Sequence, residues 1–270
     1  MNKLECDVRE VVKVSLLAMF FLAGCGSEGG GEVLADRSFD RFEFSFDFED
    51  ENQLVDLPSF GDDPSYIEDG VLVCPILEGE HKGLGRKFWF DGDGVVTDEV
   101  DVSFDLYIDQ DYQLGTHESE TGKFIGFEGI YDESAGWGGR PVTDQKSWSV
   151  RIANMRQNDQ GEIPIGLYVY HPGMSGQYGT TVDAEFALKT GQQYEIKLYI
   201  KLNDVNRSNG VINMYVDGRK IYSSNEWVFR LDDSVHVRSV WLDAYIGGET
   251  PSPVSTYLSL DNLKIRWREY

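Results

Sequence analysis

A chain of 270 residues, 41% apolar and 13% aromatic, can bury a core and excludes a disordered protein; it has room for one large β domain or two small ones. Lys and Arg number 24 against 47 Asp and Glu, a net charge of −23, so duplex phosphates would be repelled and no nucleic acid partner is expected. A polyanionic sugar chain is compatible only where a local basic cluster overcomes that field.

At the N-terminus, Lys3, Arg9 and Lys13 precede the apolar run Val14–Leu22, which meets Ala23-Gly24-Cys25. A charged start, a short apolar stretch and small residues before a cleavage point describe a secretory signal. The run is shorter than the about 20 apolar residues a spanning helix needs. Leu22-Ala-Gly-Cys25 resembles the bacterial lipobox, which implies cleavage after residue 24 and lipidation of Cys25. The expected organisation is therefore a signal peptide at 1–24, a Gly-rich flexible tether at 25–37 and one domain at 38–270. Export follows, with the chain held to the membrane of a bacterial envelope through the lipid on Cys25, on its periplasmic or cell-surface side. Cys74 would then be the one cysteine left in the domain. It lies within Val71-Leu-Val-Cys-Pro-Ile76 and reads as a small apolar core residue.

Strand signals follow to the end of the chain. Phe42, Phe44, Phe46 and Phe48 alternate with Glu43, Ser45, Asp47 and Glu49, a period-2 pattern with one buried face. Val100, Val102, Phe104, Leu106 and Ile108 repeat the pattern, as do Ile196, Leu198, Ile200 and Leu202. Val211–Val216, Asp217-Gly218 and Arg219–Tyr222 read as a hairpin with a type I′ turn. Val235–Ile246 and Tyr257–Trp267 supply the last strands. No helical periodicity persists over three turns. The predicted fold class is all-β, a mostly antiparallel sandwich, jelly roll or barrel. Long loops at 109–122, 131–147 and 171–183 are natural carriers of function on such a scaffold.

Two strands carry chemistry on their second face. Trp148, Val150 and Ile152 point one way, Ser149 and Arg151 the other; Leu167 and Val169 oppose Tyr168 and Tyr170. If these strands are neighbours, one surface presents Ser, Arg and two Tyr. Aromatic faces for stacking, hydroxyls and a guanidinium suit a sugar groove with a carboxylate in it. Ordinary strand decoration is the competing explanation on spacing alone.

Motif order adds a resemblance. Gly122-Lys123-Phe-Ile-Gly, Gly136-Trp137-Gly-Gly139, Trp148-Ser-Val-Arg151, Tyr168-Val-Tyr170, Leu202-Asn203, Asn209-Gly-Val211, Val216-Asp-Gly218, Phe229-Arg230, Gly247-Gly248 and Asp261-Asn-Leu-Lys-Ile265 occur in an order that resembles the family 14 polysaccharide lyases. The likeness spans roughly residues 80–268, and glucuronan lyases look similar in general plan. It implies a β-jelly roll that cleaves uronate polymers such as alginate by β-elimination, without metal or other cofactor. It also implies an anionic polysaccharide as substrate and partner; the protein itself is expected to be a monomer. By motif, Lys123, Arg151, Tyr168 and Tyr170 become the candidate catalytic residues, with Ser149, Trp137 and His171 as candidate substrate contacts. Arg151 or Lys123 would neutralise the uronate carboxylate, and a tyrosine whose phenolate the cations favour would move protons. Phe124-Ile125 departs from the Leu-Pro that usually follows the lysine, and the histidine some members use before the Ser-x-Arg strand is not identifiable.

Competing expectations are a non-catalytic, lectin-like jelly roll and a retaining glycoside hydrolase suggested by Glu99-Val-Asp-Val-Ser-Phe-Asp105. In the latter, Phe104 stands where the second catalytic Glu would be, so a solvated acidic strand face is the better reading. Asp91-Gly-Asp93-Gly reads as a turn rather than a calcium loop. His81, His117, His171 and His236 have no metal-ligand spacing.

Overall fold

Among the described residues the chain forms fourteen strands: β1 (Arg41–Phe46), β2 (Tyr66–Glu68), β3 (Val71–Ile76), β4 (Lys82–Trp89), β5 (Glu99–Ile108), β6 (Gly122–Glu128), β7 (Ser149–Asn154), β8 (Glu162–Tyr170), β9 (Thr180–Lys189), β10 (Gln192–Lys201), β11 (Gly210–Val216), β12 (Arg219–Trp227), β13 (Ser239–Ile246) and β14 (Thr256–Arg268). The computed structural model describes residues 41–90, 94–114, 122–131, 135–142, 146–155, 157–158 and 160–269. The signal peptide, Cys25, the tether, Asp91-Gly-Asp93 and His117 therefore lie outside the described residues. Among the described residues one short 3-10 helix, Glu51–Asp56, interrupts the strands.

The strands form two sheets. An eight-stranded sheet runs β12-β11-β10-β5-β14-β3-β2, with β1 also on β14; a six-stranded sheet runs β4-β13-β6-β7-β8-β9. Every pairing between named strands is antiparallel. The inner faces meet in one core. Val100, Val102, Phe104, Ile196 and Leu198 come from the first sheet, Val150, Ile152, Leu167, Val169, Val240 and Leu242 from the second. This is an all-β sandwich, one of the architectures the alternation allows and the jelly-roll plan that the family resemblance implies.

Local expectations fare unevenly. Asp217 and Gly218 both have positive φ (49° and 73°), the type I′ requirement, and the hairpin forms there. Cys74 is fully buried, and burial pushes its thiol well above the ordinary range, which makes it inert core filling. The loop expected at 171–183 ends earlier, because β9 begins at Thr180. Phe42 and Phe44 stay over a third exposed, resting on Trp267 and Phe88, while Phe46 and Phe48 are buried. The acidic face of β5 is not solvated at Glu99 and Asp101, which are buried, while Asp105 stays part-exposed. Asp101 binds Arg266 and Lys197, and Glu99 binds Arg268, so an ion-pair ladder from β14 and β10 covers these carboxylates.

Candidate active site

The outer face of the six-stranded sheet collects the candidate residues through its register. Trp241 on β13 pairs with Gly126 on β6, Gly126 with Arg151 on β7, and Arg151 with Tyr168 on β8. A second row runs Ser239, Glu128, Ser149, Tyr170; a third runs Tyr245, Lys123, Ala153, Gly166. Directly paired residues share a face, so β7 and β8 bring Ser149, Arg151, Tyr168 and Tyr170 together as their spacing anticipated.

Lys123 reaches this face by an irregularity. Strict alternation would group it with Ile125 and Phe127, which are core. The ladder instead shifts register between Lys123 and Gly126 on both sides of β6, and Phe124 and Ile125 are buried in succession. A bulge of this kind turns one side chain to the opposite face. Close approach also constrains Gly126, where a Cβ would stand 1.9 Å from the Val150 carbonyl oxygen. With no side chain at that point, Arg151 extends until its guanidinium lies 4.4 Å from the Trp241 ring centroid.

The electrostatics are those of a nearly dry site. Arg151 Nη1 donates to Asp243 Oδ2 at 2.8 Å, with both side chains almost fully buried. Burial pushes the Asp243 carboxyl up, opposed by Arg151, Lys82 and Lys123. Breaking a pair this deep typically costs ~3–5 kcal/mol, since one charge is left unpaired. The Lys123 amine lies 4.8 Å from the Tyr168 ring centroid and 5.7 Å from that of Tyr245. Burial, aided by the Arg151 charge, depresses its pKa from 10.5 to about 7. Much of Lys123 is therefore a neutral amine at physiological pH.

Tyr168 corrects the expectation of a cation-stabilised phenolate. Burial and a hydrogen bond to Tyr170 drive its phenol above the ordinary range, outweighing the pull of Arg151, so the hydroxyl keeps its proton. Its oxygen accepts from the Gly179 N–H at 3.0 Å. Tyr170 is 0% exposed and accepts from the Gly139 N–H at 2.8 Å. Tyr168 is thus the more open of the two.

The expected substrate contacts are placed differently from one another. Ser149 is 0% exposed and donates to the Gly136 carbonyl at 2.6 Å, pinning the 136–140 turn rather than facing solvent. Trp137 sits half-buried in that turn, with the Arg140 guanidinium 4.3 Å from its ring centroid. His171 does not join the group. Its Nε2 meets Thr180 Oγ1, Thr180 pairs with the core-side Val169, and its ring abuts Trp227 of the other sheet. Alternation had put it opposite Tyr170, which was the available signal.

Sequence reasoning missed Asp243, Trp241 and Tyr245. These alternate with Val240, Leu242 and Ala244 on β13, so the same period-2 pattern that exposed Arg151 could have found them. It also missed Lys87 and Glu128, a buried pair with Nζ 2.6 Å from Oε1, joined by Ser239 Oγ at 2.7 Å.

The family model described as Polysaccharide lyase 14 matches residues 78–260. A search of curated protein sequences gives no match. Among solved structures, alginate lyase Aly36B is 22% identical with a TM-score of 0.67, covering 83% of this chain and 96% of its own. A double mutant of that enzyme was solved with an alginate tetrasaccharide, at 21% identity and a TM-score of 0.69, covering 84% of this chain and 97% of its own. The marine alginate lyase of Aplysia kurodai is 18% identical with a TM-score of 0.60, covering 78% and 87%. At these identities the structures share the fold, while the family match covers most of the chain. The chain belongs to the polysaccharide lyase 14 family and is a polysaccharide lyase.

Proposed function

We propose that this lyase cleaves a uronate-containing polysaccharide of the alginate or glucuronan kind by β-elimination, with Lys123 as base and Tyr168 as acid. The observation that carries this reading is their juxtaposition: a depressed amine 4.8 Å from the ring of a tyrosine held neutral, on one face of a rigid sheet. The neutral amine takes the C5 proton. The C5–H electron pair becomes the C4=C5 bond, and the C4–O4 bond breaks with its pair going to oxygen. O4 takes the Tyr168 proton, because the departing alkoxide is a far stronger base than a phenolate. The ammonium of Lys123 then returns a proton to the Tyr168 oxygen, which restores both groups.

Arg151, Lys82 and Lys123 surround the single carboxylate of Asp243, a local cationic excess on a chain of net charge −23. That excess draws in the uronate carboxylate and stabilises the enolate-like charge that develops beside it. In mannuronate and glucuronate units the C5 hydrogen and O4 leave from the same side of the ring; in guluronate they leave from opposite sides. Adjacent acid and base on one surface therefore favour the first two. The names of the structural neighbours, alginate lyases, support the same substrate class. Purified protein should generate ultraviolet-absorbing unsaturated ends from mannuronate-rich alginate or glucuronan faster than from guluronate-rich alginate. No product from any of the three would sink the reading and leave a carbohydrate-binding jelly roll.

We also propose that the enzyme is exported and lipid-anchored in a bacterial envelope, on the strength of the Leu22-Ala-Gly-Cys25 motif. Such an anchor would keep a degradative lyase beside the cell that takes up its products. Cys25→Ser should release the protein from the membrane fraction or block its processing. Unchanged fractionation would remove the anchor from the account.

A further inference from the structure

Trp241 stands between two buried ion pairs. On one side Arg151, bound to Asp243, lies 4.4 Å from its ring centroid. On the other, its register partner Lys87, bound to Glu128, lies 4.7 Å from the same centroid. Phe60 and Trp89 complete the cage around Lys87, at 4.1 Å and 4.8 Å from its Nζ. Phe60 also meets Trp241 edge-on at 6.0 Å. Trp241 is 5% exposed, so it acts on whatever occupies the groove through its neighbours. The space its indole needs toward Arg151 exists because Gly126 lies between them in the row.

We propose that Trp241 is a positioning residue of the lyase site: its ring face holds the Arg151 guanidinium in register with Lys123, and the Lys87–Glu128 pair fixes the indole from the other side. A desolvated cation over an indole is among the stronger contacts available to a guanidinium, and it adds to the bond from Nη1 to Asp243. The groups facing Lys123 among the described residues are Arg151 on β7, Asp243 and Tyr245 on β13 and Tyr168 on β8, with Lys82 of β4 beyond Asp243. Burial is the larger cause of the low Lys123 amine and the Arg151 charge the second, so loss of packing and loss of the guanidinium both move the titration, and coupling to Arg151→Lys separates the two.

The inference rests on the proposed function only for its kinetic arm; the titration arm does not need turnover. Trp241→Leu removes the ring, and Trp241→Phe keeps one. The Lys123 amine, followed by NMR, should titrate at higher pH in Trp241→Leu than in wild type, nearer the ordinary 10.5, and return most of the way in Trp241→Phe. kcat/KM should fall by about 10²-fold in Trp241→Leu, the scale of a misplaced active-site group. An unmoved Lys123 titration in a folded Trp241→Leu protein makes Trp241 mere core filling and overturns the proposal. If Trp241→Leu does not fold, a cycle of Trp241→Phe with Arg151→Lys decides. The second substitution should absorb the effect of the first on the titration, and strict additivity overturns the proposal. A wild type without lyase activity but with the expected titration shifts would instead sink the functional reading.

Discussion

Lys123→Met should lose roughly 10²–10⁴-fold in kcat, the usual scale for removing a general base, while folding normally. The pH dependence makes the prediction specific. With a pKa of about 7 the amine is mostly protonated below neutrality, so wild-type kcat/KM should climb as pH rises through about 7. Stability should carry the same signature with a checkable sign. The unfolded lysine keeps its proton up to 10.5, whereas the folded one loses it near 7. Between those values the unfolded state binds more protons, so wild-type stability rises with pH across that window. Below it, both states are protonated and the burial penalty is constant. Methionine does not titrate, so between pH 7 and 10.5 stability should rise less steeply in Lys123→Met than in wild type. Equal slopes in the two proteins, or residual turnover near wild type, would refute a depressed basic Lys123.

How much of this was legible depends on which interaction decided each feature. Core-facing alternation in β5, β10 and β11 is a local property, and it reads directly from the chain. So does the Asp217-Gly218 turn, because left-handed backbone at two successive positions selects those residues. The pairing of β7 with β8 could be guessed because Ser149-x-Arg151 and Tyr168-x-Tyr170 carry chemistry on matching faces. The bulge at Phe124-Ile125 could not, since it moves Lys123 to the outer face against the alternation of its own strand. Asp243 lies 92 residues from Arg151, and only the placement of β13 beside β6 brings it within reach of the guanidinium. The phenolate expected at Tyr168 failed for a different reason. Sequence showed cations nearby, which favour phenolate, but not the burial that outweighs them. The β5 carboxylates are the mirror case: their alternation was visible, and their arginine partners on β14 were not.

Tyr168→Phe should lower kcat by roughly 10²–10⁴-fold, and Tyr170→Phe by less. Both substitutions delete one hydroxyl and keep the ring, so stacking and packing change little. The difference lies in where each hydroxyl is. Tyr170 is wholly enclosed, and its oxygen accepts from the Gly139 N–H beneath the turn that Ser149 pins. Its hydroxyl also hydrogen-bonds with Tyr168, and in the proposed mechanism it would act only through that contact. Tyr168 is part-exposed, lies beside Lys123, and is kept protonated by its surroundings, as a proton donor to O4 must be. Each substitution strands a backbone donor, the Gly139 N–H for Tyr170 and the Gly179 N–H for Tyr168, but only the Tyr170 hydroxyl is wholly enclosed, so its loss is the costlier one at ~1–3 kcal/mol and belongs mainly to stability. Thermal denaturation should therefore separate the variants in the opposite order from kinetics. Tyr168→Phe should be the slower enzyme, and Tyr170→Phe the less stable protein. A larger kinetic loss in Tyr170→Phe than in Tyr168→Phe, with intact folding, would transfer the acid role to the buried hydroxyl. The groove would then have to open at the 136–140 turn before substrate could react.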